Sequence, residues 1–111
     1  MTRPSVERPW TRSYSPGVSA DITVADEPLT AALERGARTY PDRVALDFMG
    51  RQTTYRELGE QVALAAGVLT KLGVRPGDRV AIGLPNCATH VVVFYAVLRI
   101  GGVVVECNPT Y

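Results

Sequence analysis

The chain has 111 residues, 46% hydrophobic and 21% charged, an ordinary globular mixture that suffices for one small domain and excludes a disordered tail. Twelve basic and eleven acidic residues leave a net charge of +1, so no bulk field draws the chain to nucleic acid or an anionic membrane. Cys87 and Cys107 form no CxxC or His/Cys cluster and His90 is the single histidine; a zinc centre or Cys–His pair has little to build from, and the cysteines read as buried free thiols.

Residues 1–28 are rich in Pro, Ser, Thr and Arg, with isolated large residues at Trp10, Tyr14 and Ile22 and no helical or strand period. They form an extended arm. Two readings stay open: a flexible tail, or an arm pinned to a neighbouring surface by Trp10 and Tyr14, with a homodimer through the arm as a candidate assembly. The first residues lack the apolar core of a signal peptide, which points to a cytoplasmic location.

From Leu29 the apolar residues Leu29, Leu33, Ala37 and Tyr40 follow a helical period, with Glu34 and Arg38 spaced for an i,i+4 pair. Tyr40-Pro41-Asp42 ends this helix. A hairpin follows, with strands at residues 44–48 and 52–54 around Met49-Gly50-Arg51. Thr54-Tyr55-Arg56-Glu57 has the pattern of a capping box, in which Thr and Glu satisfy each other's free backbone N–H groups. The helix it starts carries an apolar face of Leu58, Val62, Ala65, Ala66, Leu69 and Leu72, and Gly73 supplies its left-handed end. After the turn at residues 74–78, residues 79–84 read as a strand apolar on both faces, as in a parallel sheet covered by helices. Asn86 is the expected N-cap of a nearly uncharged helix over residues 87–100, which must be buried on nearly all sides. Gly101-Gly102 ends it, residues 103–105 form another buried strand, and residues 108–111 begin a turn. The apolar run 91–105 is broken by Arg99 and the paired glycines and falls short of the about 20 residues of a membrane span. The fold class is α/β, a partial layer of parallel strands with crossover helices.

The residues themselves show scaffold without an active site. The turn Gly83-Leu84-Pro85-Asn86 is neither GxGxxG nor GxxxxGK[ST], and Pro85 offers no N–H to an anion. Asp42, Asp47 and Asp78 sit beside turns or strand ends, Glu57 is used by its cap, and Lys71 suits the helix C-terminal dipole. His90 reads as a satisfied core or interface histidine. No catalytic, cofactor-binding or metal-ligating residue is assigned.

The blocks Thr39-Tyr40-Pro41-Asp42-Arg43-Val44-Ala45-Leu46, Thr54-Tyr55-Arg56-Glu57-Leu58, Leu72-Gly73-Val74-Arg75-Pro76-Gly77-Asp78-Arg79-Val80-Ala81-Ile82, Leu84-Pro85-Asn86 and Asn108-Pro109-Thr110-Tyr111 resemble the opening of an AMP-forming acyl-CoA synthetase of the adenylate-forming superfamily. The leader Arg8-Pro9-Trp10-Thr11-Arg12-Ser13-Tyr14-Ser15-Pro16-Gly17-Val18 is similar to that of long-chain fatty-acid-CoA ligases in particular. The resemblance implies a two-step ligase. A fatty carboxylate attacks the α-phosphate of ATP, with Mg2+, to give an acyl-adenylate and pyrophosphate; the thiol of coenzyme A then displaces AMP. It also implies that the phosphate loop with its lysine, the Thr-Glu pair near the metal, the ribose-binding aspartate and the C-terminal lysine lie downstream. Residues 29–111 are therefore expected to be an incomplete N-terminal α/β subdomain that binds neither ATP, Mg2+ nor coenzyme A by its own motifs and is inactive alone. Its expected partner is the remainder of the ligase chain, with a fatty acid as the substrate of the whole enzyme, which is expected to be cytoplasmic or peripheral to a membrane. Two residues depart from the family pattern: Glu106 ends a strand where a small or apolar residue is expected, and His90 replaces a commoner aromatic or acidic one. The rival reading is a small α/β interaction module without catalysis, docking through Trp10 and Tyr14.

Overall fold

The computed structural model describes residues 7–110. Over residues 7–28 the arm holds one 3-10 turn at Pro9–Ser13 and is otherwise irregular. The elements that follow are α1 (Thr30–Thr39), β1 (Val44–Phe48), β2 (Arg51–Thr54), α2 (Tyr55–Lys71), β3 (Arg79–Ile82), α3 (Ala88–Arg99) and β4 (Val103–Glu106). They make an antiparallel hairpin, β1 with β2, and a separate parallel pair, β3 with β4, joined by the crossover helix α3.

Local chemistry sets most boundaries. The β1–β2 connection has two residues, Met49 at φ 52° and Gly50 at φ 88°, the left-handed pair that a tight hairpin turn requires. Asp47 Oδ1 accepts the Gly50 N–H at 3.1 Å, and Arg51, expected in the turn, joins β2. Thr54 caps α2, its hydroxyl accepting the Glu57 N–H at 3.2 Å. Both α2 and α3 end in the same motif, with Gly73 at φ 96° and Gly101 at φ 80°. The Val74 N–H bonds the Leu69 carbonyl and the Gly102 N–H the Val97 carbonyl, closing six-residue loops that satisfy orphan carbonyls.

Several expectations are corrected. Leu29 precedes α1 and is exposed, and Arg35 rather than Arg38 finds an acidic partner: its two Nη atoms donate to the two oxygens of Glu27, each at 2.9 Å. These hydrogen bonds hold the Glu27 carboxyl below its usual range and tie the end of the arm to α1. Tyr40 faces outward beneath the Arg43 guanidinium, 4.2 Å from its ring centre. Leu72 lies at the end of α2 and is 75% exposed, off the apolar face. β3 stops at Ile82 rather than residue 84, because the Ile82 carbonyl is the last to be paired, taking the Cys107 N–H at 3.0 Å. α3 is capped by Cys87 without a side-chain hydrogen bond; Asn86 lies one residue too early.

The core is thin and has α3 at its centre. Leu58, Val62 and Ala66 of α2 meet Ala96 of α3, with Leu33, Leu46 and Tyr95 packed around them. The small residues Ala66 and Ala96 allow the two helices a close approach. α3 also packs on β3 and β4, and the largest fully buried side chains are Ile82 and Val97. The parallel strands were expected to be buried on both faces, but only one face is covered. Register pairs Arg79 with Val103 and Ala81 with Val105; these four share the face away from α3, and all are exposed.

The 3-10 turn of the arm meets none of the helices and strands that follow, and Trp10, Tyr14, Val18 and Ile22 are all exposed. Arg8 bonds back to the Ala20 carbonyl at 3.1 Å and to the Asp21 carboxylate, which folds the arm on itself. The accessible surface is 8851 Å², whereas a compact monomer of 12.0 kDa exposes about 6,000 Å². Apolar groups left uncovered contribute to the excess: Trp10, Val18 and Ile22 of the arm, the outer face of β3–β4 and the stripe Leu64, Val68, Leu72 on α2.

Candidate functional site

In open α/β sheets ligands sit outside the carboxyl ends of the parallel strands, where chain reversals leave a crevice. Here that end is built from the β3–α3 connection, the first turn of α3 and the exit of β4. The β–α–β crossover brings the third residue of α3, His90, to the last residue of β4, Glu106. His90 Nε2 lies 3.0 Å and 2.9 Å from the two carboxylate oxygens of Glu106. Its Nδ1 lies 3.2 Å from the carbonyl oxygens of both Leu84 and Pro85. The His90 side chain is mostly covered and that of Glu106 half exposed.

These partners decide the protonation state. Carbonyl and carboxylate oxygens only accept, so each ring nitrogen can bond only by carrying a proton, and the ring that satisfies both sides is the imidazolium. The hydrogen bond to Glu106 is the main cause that raises the His90 pKa above 6.5; burial opposes it, and the Pro85 and Leu84 carbonyls and the Glu106 charge reinforce it. The N-terminal end of a helix disfavours a cation, which makes the Glu106 carboxylate the necessary compensation.

His90 lines two open clefts. One, of 360 Å³, runs toward Asp47 and Phe48 of β1 and includes Cys87. The other, of 520 Å³, lies between Pro85, Glu106, Cys107 and Pro109. Pro85 offers no N–H at the strand-to-helix turn, the Cys87 cap makes no side-chain bond, and among the described residues no three His, Cys, Asp or Glu side chains converge to hold a metal. Both cysteines are free and partly covered rather than fully buried.

Of the other residues singled out from the sequence, Asp47, Cys87 and Cys107 line the same clefts as His90, and Asp42, Asp78 and Lys71 do not. Asp42 pairs with Arg56 at 3.1 Å, Asp78 accepts the Arg75 N–H at 2.8 Å, and Lys71 is exposed in the last turn of α2. His90 is satisfied, as its reading required, and Glu106 is the reason: the two residues read from the sequence as departures are partners. No local signal joins positions sixteen apart in sequence. The usable signal was topological, since a parallel β–α–β unit sets the start of its helix beside the end of its second strand.

Comparison with known proteins gives this geometry its context. Residues 33–111 match the family of AMP-binding enzymes. The chain is similar to the long-chain-fatty-acid–CoA ligase of Bacillus subtilis (strain 168), with 33% identity over 105 residues that cover 95% of this chain and 19% of the ligase. It is also similar to the phosphinothricin tripeptide synthetase PhsC of Streptomyces viridochromogenes, 41% identical over 93 residues that cover 79% of this chain and 9% of that one. Among solved structures, the N-terminal subdomain of Klebsiella oxytoca NpsA in complex with 3-hydroxyanthranilyl-AMSN superposes with a TM-score of 0.74 at 34% identity, covering 76% of this chain and 22% of that one. The chain thus spans about one fifth of the ligase it matches. With an α/β fold shared with the N-terminal subdomains of adenylate-forming enzymes and a match over most of its length, the chain belongs to the AMP-binding enzyme family.

Proposed function

We propose that this chain is the N-terminal part of a long-chain fatty-acid–CoA ligase, which joins ATP, a fatty acid and coenzyme A into acyl-CoA, AMP and pyrophosphate, and that it contributes scaffold rather than catalytic groups. The observation that carries the substrate class is the extent of similarity. The match to the Bacillus subtilis ligase covers 95% of the chain and so takes in the arm, whereas the match to the peptide synthetase covers 79%. The uncovered outer face of β3–β4 and the excess accessible surface support a larger body around these residues. In this reading Mg-ATP and coenzyme A are bound by the remainder of that body, and the enzyme works in the cytoplasm, in peripheral contact with membrane where its substrate requires it. Among the described residues no helix is long and apolar enough to cross a membrane.

ATP–pyrophosphate exchange tests the reading. The complete protein should exchange with palmitate and not with amino acids, and the 111-residue chain alone should give background with either. Exchange driven by an amino acid would replace the fatty acid with the peptide synthetase chemistry, and exchange by the short chain would overturn its scaffold role.

The arm belongs to the same proposal as the contact between two copies of the enzyme, because Trp10 and Tyr14 are exposed and the turn that carries Trp10 meets none of the helices and strands of the body. Trp10→Ala with Tyr14→Ala should convert a dimer to a monomer in sedimentation velocity. A wild-type protein that sediments as a monomer at every concentration would refute this.

The rival reading, a self-sufficient interaction module, has one observation in its favour: α3 is covered by α2 on one side and by β3–β4 on the other within this chain. A soluble, cooperatively melting 111-residue monomer would support it.

A further inference from the structure

We propose that the imidazolium of His90 is a proton-dependent clasp that ties the exits of β3 and β4 to the first turn of α3, so that loss of its proton frees the segment from Glu106 to Pro109 and reshapes the 520 Å³ cleft. The ring touches three separate stretches of chain: it belongs to α3, its Nδ1 faces the Leu84 and Pro85 carbonyls after β3, and its Nε2 faces Glu106 at the end of β4. All three partner groups are acceptors. A neutral ring carries one proton and must leave either the carbonyl side or the carboxylate side without a donor in a mostly covered site.

The clasp acts where backbone pairing ends. The last bond between the strands is the Cys107 N–H on the Ile82 carbonyl at 3.0 Å, one residue beyond Glu106, and Asn108 then turns back on itself through its Oδ1, which accepts the Thr110 N–H at 2.9 Å. Beyond Cys107 only the cleft wall remains, so the Glu106 side chain is the anchor next to the exit. The titratable groups around the ring are Glu106 and Cys107 from the exit of β4, Cys87 from the β3–α3 connection, and Asp47 from β1 across the 360 Å³ cleft. Asp47 is engaged by the Gly50 N–H. α1, α2 and β3 line neither cleft.

The sign follows from linkage. A histidine whose folded pKa lies above its unfolded value contributes stability that is fully present below the unfolded value of 6.5 and is lost as pH rises through the folded value. The clasp is therefore closed in mild acid and opens on the alkaline side.

The test uses the complete protein that carries this chain. The His90 ring resonance, assigned by its disappearance in His90→Phe, should titrate above the free-histidine value and return toward it in Glu106→Gln. Amide exchange reads the consequence. The protection of Cys107 should be compared with that of Val103, whose N–H bonds the Asp78 carbonyl at 2.7 Å at the other end of the same strand pair, which cancels the intrinsic rise of exchange with pH. The ratio should fall between about pH 5.5 and about pH 8.5 in the wild type and stay flat in His90→Phe. A His90 titration at or below the free value, or a wild-type ratio independent of pH, overturns the proposal, and the exchange ratio of the wild type stands even if the variants fail to fold.

Discussion

Ile82→Ala is expected to lower unfolding free energy by about 2–5 kcal/mol, the range for truncating a fully buried aliphatic side chain with incomplete collapse around the void. Ile82 is 2% exposed and ends β3 beneath α3, where Val97 is wholly buried. The site has little means to relax, because Ile82 is held by the strand ladder and its carbonyl takes the Cys107 N–H. The change should appear as a lower urea midpoint at unchanged slope. Leu64→Ala is the control: Leu64 is 73% exposed, and an exposed site away from special features moves stability by no more than about 0.5 kcal/mol. Equal midpoints for the two variants would show that α3 does not seal the inner face of the sheet.

Gly102→Ala should cost about 1–3 kcal/mol for a different reason, overpacking rather than a void. A Cβ on Gly102 would lie 2.9 Å from Val97 Cγ1 and 3.1 Å from the Val97 carbonyl oxygen. Val97 is β-branched and fully buried, so it cannot turn aside, and the carbonyl accepts the Gly102 N–H at 2.9 Å in the motif that ends α3. Gly67→Ala is the informative comparison, since a Cβ there meets nothing within 4 Å and alanine is the better helix former. Thermal unfolding should rank the proteins Gly67→Ala at or above wild type and Gly102→Ala well below it. A Gly102→Ala protein as stable as wild type would mean that α3 and β4 can slide apart at this joint without penalty.

These two positions also mark where reading the sequence stops. Gly101-Gly102 was recognisable as a helix end, because a left-handed residue followed by a strand is a local requirement that glycine meets. That Gly102 also needs its missing side chain to let Val97 reach the sheet is a contact between elements, and no local pattern encodes it. Ile82 lay in an apolar strand whose two faces looked alike from composition; only packing shows that Ile82 faces α3 while Ala81 faces away. The arm illustrates the same limit, since its aromatic residues look adhesive in the sequence and only the fold shows that they stay exposed.

The sequence by itself determined the order of elements, the Thr54 cap and the glycine-ended helices, because caps, turns and apolar periods act over three or four residues and each leaves a local signature; the adenylate-forming fold followed from the resemblance of its sequence blocks to that family. Tertiary structure alone decided which strand face stays bare and that His90 meets Glu106. Those outcomes depend on distances between residues brought together by the β3–α3–β4 crossover, and burial and proton affinity are set by neighbours in space.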